Sequence, residues 1–190
     1  MHPANHRAQQ RRAAAGFTLV ELMVIVVIVG ILAMIATYSV RKYITSSKTS
    51  EATGMIGTIK AAEEAYKEET FAYLNVSASV DDYYPTNANP GRAKVQWGGG
   101  VGGPAWQTLG VNAPNPVLFV YSCVAGAAGT APPAPAGSAS DITIGNWPSA
   151  AQGATWYVVK AMADFDGDGR HTVFVGASFA GDMFSNGYNL

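Results

Sequence analysis

Apolar residues are concentrated in one long run near the start of the chain. Between Phe17 and Tyr38 only Thr18, Glu21 and Thr37 interrupt the run, and residues 22–36 have no polar side chain. A helix of this length spans about 33 Å at 1.5 Å per residue, which is close to the hydrocarbon thickness of a bilayer. The pattern therefore predicts one helix that can cross a membrane.

Beyond this run the pattern becomes that of an amphipathic helix. Five residues recur at helical spacing and predict a stripe that packs on a partner surface: Met55, Ile59, Ala62, Tyr66 and Tyr73. Six charged residues between them are typical of a solvated face: Lys60, Glu63, Glu64, Lys67, Glu68 and Glu69. We predict one helix over residues 17–74, about 87 Å long.

After residue 75 the chain changes to short runs of β-branched and aromatic residues bounded by Gly, Pro and Asn. Four runs are predicted as strands: KVQW (94–97), PVLFVYSCV (116–124), ATWYVVKAMA (154–163) and HTVFVGASF (171–179). We expect them to form one antiparallel sheet packed on the helix, an α+β head. Four tryptophans are predicted core and loop anchors: Trp97, Trp106, Trp147 and Trp156. Cys123 is predicted to be a small buried hydrophobe.

Three interpretations of the apolar run are possible: a secretory signal, a buried core helix and a membrane anchor. No A-x-A-like cleavage site follows the run, and a core helix would be shorter and would not need the cluster Arg7, Arg11 and Arg12 before it. A membrane anchor fits best, with the arginines on the cytoplasmic side. Glu21 within the run is costly in a bilayer, which indicates either a snorkelling side chain or a functional one with a partner.

The string GFTLVEL, residues 16–22, makes a family resemblance specific. A basic leader ending in Gly16, then Phe17, Glu21 and a long apolar helix resembles the class III signal of type IV prepilins and related pseudopilins. The resemblance implies cleavage between Gly16 and Phe17 by prepilin peptidase, followed by N-methylation of Phe17. It also implies that Glu21 pairs with the terminal amine of a neighbouring subunit during assembly. In contrast to many bacterial pilins, the apolar helix has no proline some twenty residues into the mature chain.

The resemblance implies a pilin-like "ladle" fold in three parts. These are a cleaved leader (1–16), a long helix (17–74) whose residues 17–38 lie in the membrane before assembly, and a β-rich head (75–190). The implied partners are other pilin subunits, prepilin peptidase and an inner-membrane assembly platform. The precursor is expected in the inner membrane, and the assembled protein in an extracellular pilus or a periplasmic pseudopilus.

One constellation outside the helix has possible site chemistry, the string DFDGDG at 164–169. Asp164, Asp166 and Asp168 match the opening of a calcium loop, and the Arg170 carbonyl and Asp182 are further candidate ligands for Ca²⁺. The twelfth position of such a loop, which needs an acid, is Val175. The alternative is a simple Asp-Gly turn between two strands, and calcium-containing loops near the C-terminal end of some pseudopilins add weight to the calcium prediction.

Charge and composition exclude other classes of protein. Charged residues are 13% and hydrophobic residues 48% of the chain, and three of the 12 basic residues lie in the leader, leaving nine against 13 acidic ones. A nucleic-acid partner is therefore not indicated. No catalytic, zinc or phosphate-binding motif is present, so we predict a non-enzyme. The predicted function is a structural subunit of a type IV pilus or related filament; the alternatives are a type II secretion pseudopilin or a monomeric membrane-anchored calcium-binding domain.

Overall fold

The chain divides into two compact units, Met1–Arg41 and Lys42–Leu190, which we call the N-terminal unit and the head unit. The computed structural model describes residues 16–87, 91, 93–98, 100, 102–135, 144, 147–148, 152–165 and 167–187, without the side chains of Arg41 and Thr45. The predicted leader therefore lies outside the described residues except for Gly16. The unit boundary lies within the first helix rather than after residue 74, because the later helix residues pack on the sheet.

The first helix, α1, extends from Leu19 to Thr70. It begins two residues later and ends four residues earlier than the sequence predicts. At its end Phe71 has a left-handed backbone, with φ of 62°, and its N–H donates to the Lys67 carbonyl at 2.8 Å. A residue in this conformation ends a helix by turning the chain out of the helical path. Tyr73 and Leu74 consequently belong to the segment that returns over the head.

The head unit contains a four-stranded antiparallel sheet in the order β1-β2-β3-β4. The strands are β1 (Val120–Gly126), β2 (Trp156–Ala163), β3 (Thr172–Ala177) and β4 (Ala180–Ser185). A short helix, α2 (Gly103–Thr108), precedes them. The α+β fold predicted from the sequence is confirmed.

One predicted strand is absent from the structure, and one strand of the structure was not predicted. The run KVQW forms only a single bridge, between Val95 and Val117, instead of a strand. The last strand, β4, was not predicted, because AGDMFS is poor in β-branched residues and acquires its strand geometry by pairing with β3. Asp182 therefore lies within a strand.

One face of the sheet packs against α1. Ala52, Ile56 and Ile59 of the helix form a buried cluster with sheet residues such as Tyr157 and Val159. The predicted stripe is confirmed: Ile59 is buried in this cluster, and the other four residues are partly buried against it. In β3, a Cβ at Gly176 would lie 2.9 Å from Ile56 Cγ2, so a residue without a side chain is needed where the helix approaches the sheet.

Glu63 lies in this packed face, although the charge pattern predicts a solvated position. Its side chain is fully buried, and its carboxylate accepts hydrogen bonds from the Leu74 N–H (2.9 Å) and the Cys123 thiol (3.1 Å). Burial raises the pKa of Glu63 despite these hydrogen bonds. Burial also raises the pKa of the Cys123 thiol, and the neighbouring Glu63 adds to that effect. The carboxylate thus fastens the segment after α1 to the helix.

The opposite face of the sheet contains a second buried cluster, to which Val80 and Tyr83 contribute. Lys160 of β2 is fully buried there and donates to Asp81 Oδ1 at 2.7 Å. Burial lowers the pKa of Lys160, and the Asp81 carboxylate opposes that shift. The predicted tryptophan anchors are confirmed: Trp97, Trp106 and Trp156 are buried, and Trp147 is partly buried against the second cluster.

Candidate functional site

The predicted processing site lies in non-helical chain just before α1. Gly16, Phe17 and Thr18 are exposed and precede the helix. The peptide bond between Gly16 and Phe17 therefore lies outside the hydrogen-bonded helical backbone, which begins at Leu19. The arginines of the predicted leader lie outside the described residues.

Glu21 occupies the first turn of α1 and forms a capping box with Thr18. Its Oε2 accepts hydrogen bonds from the Thr18 N–H (2.9 Å) and hydroxyl (2.6 Å), while the Glu21 N–H donates to Thr18 Oγ1 at 3.2 Å. These bonds satisfy N–H groups that a helix start leaves without intrahelical partners, and a carboxylate there also suits the helix dipole. The carboxylate is thus held at a fixed place one turn from Phe17. The pattern T-x-x-E, which was the sequence signal for this cap, was missed.

The rest of the N-terminal unit presents an uncovered apolar surface. Every residue from Leu19 to Val40 is exposed, and its large apolar side chains retain between 48% (Ile25) and 77% (Met34) of their accessible surface. Among the described residues, α1 is the one helix long and apolar enough to cross a membrane. Because water disfavours so large an apolar surface, a bilayer or other apolar helices must cover it.

The candidate calcium loop connects β2 to β3, and its described acids bind backbone groups. Asp164 accepts hydrogen bonds from the N–H groups of Gly167 (2.6 Å) and Gly169 (3.2 Å), and Asp168 accepts one from Arg170 N–H (2.8 Å). Both glycines have a left-handed backbone, with φ of 74° and 85°. Such bonds are typical of an Asp-Gly turn, which is the alternative to a calcium site.

The other acids predicted to bind calcium are Asp166 and Asp182. Asp166 lies outside the described residues, and Asp182 is exposed on β4. Within the part of the chain that the structure describes, no three His, Cys, Asp or Glu side chains form a group that could hold a metal ion. Calcium binding stays a sequence prediction.

Comparison with known proteins bears on the N-terminal region. Residues 11–37 match the family described as the prokaryotic N-terminal methylation motif, a range that includes Gly16, Phe17 and Glu21. The chain is 42% identical over 72 residues to the type II secretion system core protein G of Pseudomonas aeruginosa. It is 43% identical over 53 residues to the type IV major alpha-pilin of Moraxella bovis and 41% identical over 56 residues to the fimbrial protein EcpC of Eikenella corrodens. Over these stretches the chain is similar to type IV pilins and to a type II secretion pseudopilin.

The matches between this pilin-like chain and its relatives cover only part of each protein. They span 38% of this chain and 51% of the P. aeruginosa protein, 28% and 33% for the M. bovis pilin, and 30% and 37% for the E. corrodens protein. No solved structure matches the chain. The chain thus spans about half or less of the length of the relatives it matches, and each match is 53 to 72 residues long.

Proposed function

We propose that this chain is a structural subunit of a type IV pilus or a related pilin-like filament. The observation that carries the proposal is the apolar surface of residues 19–40, which is uncovered all around the helix and begins at a methylation motif. A single subunit can cover such a surface only in a bilayer, whereas many subunits can cover it by packing these helices together. The same surface would thus face lipid before polymerisation and other subunits afterwards.

The proposed maturation starts with cleavage by prepilin peptidase between Gly16 and Phe17 and N-methylation of Phe17. Cleavage creates a positively charged amine close to the first turn of α1. We propose that this amine pairs with Glu21 of a neighbouring subunit when the subunit leaves the inner membrane on its assembly platform. Two charges that are each costly in an apolar surrounding then compensate each other. The subunit has a structural and not a catalytic task, and the assembled filament lies on the cell surface.

A type II secretion pseudopilin is the second candidate. The specific observation in its favour is the longer match to secretion protein G, over 72 residues compared with 53 for the M. bovis pilin. In that case the filament would be short and periplasmic. A monomeric membrane-anchored domain that binds calcium is the alternative outside filament formation.

The test is mass spectrometry of the mature protein, combined with electron microscopy of filaments sheared from cells. We expect a chain that begins at methylated Phe17 and is present in the filaments. A Glu21→Ala variant should be cleaved normally but assemble poorly, with Glu64→Ala at an exposed position of the head unit as a control for loss of a carboxylate elsewhere. An intact leader, or wild-type protein that is processed but found only as membrane-bound monomer, would contradict the proposal.

The calcium prediction is tested separately, by metal analysis of the purified chain. One calcium per wild-type chain and none in an Asp166→Ala variant would support a site at residues 164–170. Wild-type protein without bound calcium in millimolar-range calcium would leave the loop as the Asp-Gly turn that its hydrogen bonds describe, since calcium sites of extracellular modules bind at about 10⁻⁴–10⁻³ M.

A further inference from the structure

The end of α1 carries a large apolar side chain that the head unit leaves uncovered. Phe71 retains 86% of its accessible surface, more than any of the exposed apolar residues of the N-terminal unit. Those residues are accounted for by the membrane and the filament core, but Phe71 is more than thirty residues beyond the predicted membrane span. Aromatic side chains are enriched in the contacts between protein surfaces.

Phe71 is also held in place by its neighbours. Its N–H donates to the Lys67 carbonyl at 2.8 Å, and the Thr70 hydroxyl lies 2.8 Å from the Tyr66 carbonyl and 2.9 Å from the Ala72 carbonyl. Its φ of 62° is one that a bulky residue seldom adopts, and phenylalanine occupies it here where glycine would be expected. With the backbone fixed, only the side-chain rotamers of Phe71 have to be ordered on binding.

A cleft of about 340 Å³ lies at the other end of the helical part of the head unit. Its apolar lining comes from Tyr43, Ile44 and Leu118, and Lys48 and Lys94 stand beside them. Glu51 forms part of the lining, but its carboxylate accepts hydrogen bonds from the Leu118 and Phe119 N–H groups and pairs with Lys94 at 3.9 Å. The cleft thus combines an apolar wall with a net positive charge.

The charges around the two features are complementary. Phe71 follows the exposed carboxylates of Glu68 and Glu69. In the cleft, Lys94 pairs with Glu51, and the Lys48 ammonium, 4.5 Å from the Phe165 ring centroid, has no carboxylate partner among the ion pairs of the described residues, which leaves one net positive charge. Twenty-seven residues separate Ile44 from Phe71, which corresponds to about 40 Å along a helix. Phe71 therefore cannot reach the cleft of its own chain, and the matching ring must come from another copy.

We propose that Phe71 of one subunit inserts into the cleft formed by Tyr43, Ile44 and Leu118 of a second copy, with Glu68 and Glu69 facing Lys48 and Lys94. This contact joins two different surfaces, so each added copy leaves one ring and one cleft open at the ends. Such head-to-tail contacts generate open helical polymers when their rotation does not close a ring. The proposal rests on the proposed filament function and adds to it a contact between heads, outside the apolar core.

Disulfide cross-linking in filaments tests the contact. Ala72 and Ser47 are exposed small residues beside the ring and in the cleft, and the native Cys123 is fully buried. In a chain that carries Ala72→Cys and Ser47→Cys, mild copper oxidation of sheared filaments should give a ladder of dimers, trimers and longer multimers. The matched control carries Thr58→Cys with Ser47→Cys; Thr58 is exposed on the same helix but distant from Phe71, and its ladder should be at least tenfold weaker.

A second variant shows whether the ring itself makes the contact. In the Ala72→Cys and Ser47→Cys background, Phe71→Ala should lower the yield of multimers at least fivefold, whereas Phe71→Leu, which retains an apolar side chain, should keep most of it. Filaments that form normally but give no ladder, or one equal to the Thr58 control, would overturn the contact and leave the filament function intact. Wild-type protein that forms no filaments in a host with a pilus or secretion assembly system would overturn the filament function and this contact with it.

Discussion

The two halves of α1 have the same secondary structure but opposite surroundings. Before Arg41 the apolar side chains point in every direction and none is covered by the chain itself. After Lys42 the apolar residues are confined to a stripe, and Ala52, Ile56 and Ile59 are fully buried against the sheet. The apolar residues of the first half can thus be buried only by other molecules, whereas those of the second half are buried by the sheet of the same chain.

This difference teaches which half has to fit other molecules and which half has to fit only its own head. A surface that must fit a bilayer and then neighbouring helices has to satisfy many partners, whereas a stripe packed on one sheet has to fit only that sheet. The match to the prokaryotic N-terminal methylation motif lies at residues 11–37, before the second half begins. Substitutions in the first half should therefore impair assembly, and substitutions in the second half should destabilise the head.

The largest effect is expected from a charge in the first half. Ile28→Lys places an ammonium near the centre of the apolar run, where insertion scales assign a cost of about 2.5–3.5 kcal/mol. We expect loss of filaments and of stable membrane anchoring, measured by fractionation and by electron microscopy of sheared material. Thr58→Lys, an exposed site in the second half, is the matched control and should assemble. Normal filaments from Ile28→Lys would show that this surface is not the one that packs.

An intermediate effect is expected from a cavity in the second half. Ile56→Ala removes a fully buried side chain between α1 and the sheet and should lower the free energy of unfolding of the head by about 2–5 kcal/mol. Urea denaturation of the full chain in detergent, followed by tryptophan fluorescence, measures it. Ile28→Ala makes the same chemical change in the first half and should alter head stability by less than about 0.5 kcal/mol. Equal losses from both variants would mean that the halves do not stabilise the head differently.

The smallest effect is expected from Glu63, the charge buried in the second half. Its folded-state pKa is raised by burial, so the folded head binds a proton more tightly than the unfolded chain does. The stability that this proton contributes is complete below the ordinary pKa near 4.5 and is lost as the pH rises through the folded-state pKa. Glu63→Gln should remove this fall, measured by urea titrations at a series of pH values from below 4.5 upward. Glu69→Gln, at an exposed position, should retain the fall in stability with rising pH. If the free energy of unfolding of Glu63→Gln still falls with pH as in the wild type, the prediction is contradicted.

The sequence predicts those parts of the molecule that depend on local pattern. The apolar run, the stripe through Ile59 and the strands around Val159 and Val173 follow from periodicity and β-branched composition, and all are present in the structure. Strand β4 is different, because AGDMFS has little strand propensity of its own and is ordered by its neighbour β3. Local pattern cannot show such pairing.

The same distinction applies to the site residues. The T-x-x-E cap that holds Glu21 is a local signal and was available in the sequence. The burial of Glu63 was not, because its partner Cys123 is sixty residues away and lies opposite only after the sheet has packed on the helix. The cleft around Ile44 also needs Leu118 and Lys94 from distant parts of the head. Charge patterns along a helix describe its exposed face only where no distant segment returns to cover it.

Gly176 fixes how the sheet is aligned along the second half of α1. Because Ile56 lies where a side chain at this residue would be, the sheet and α1 interlock at one point and cannot slide freely past each other. A slip of one helical turn would shift the head by about 5.4 Å along the helix. In the proposed polymer, which is held together through its helices, a subunit that slipped in this way would displace its head by that amount relative to the neighbouring heads. The absence of a Cβ atom at Gly176 thus fixes the register between the sheet and the second half of α1.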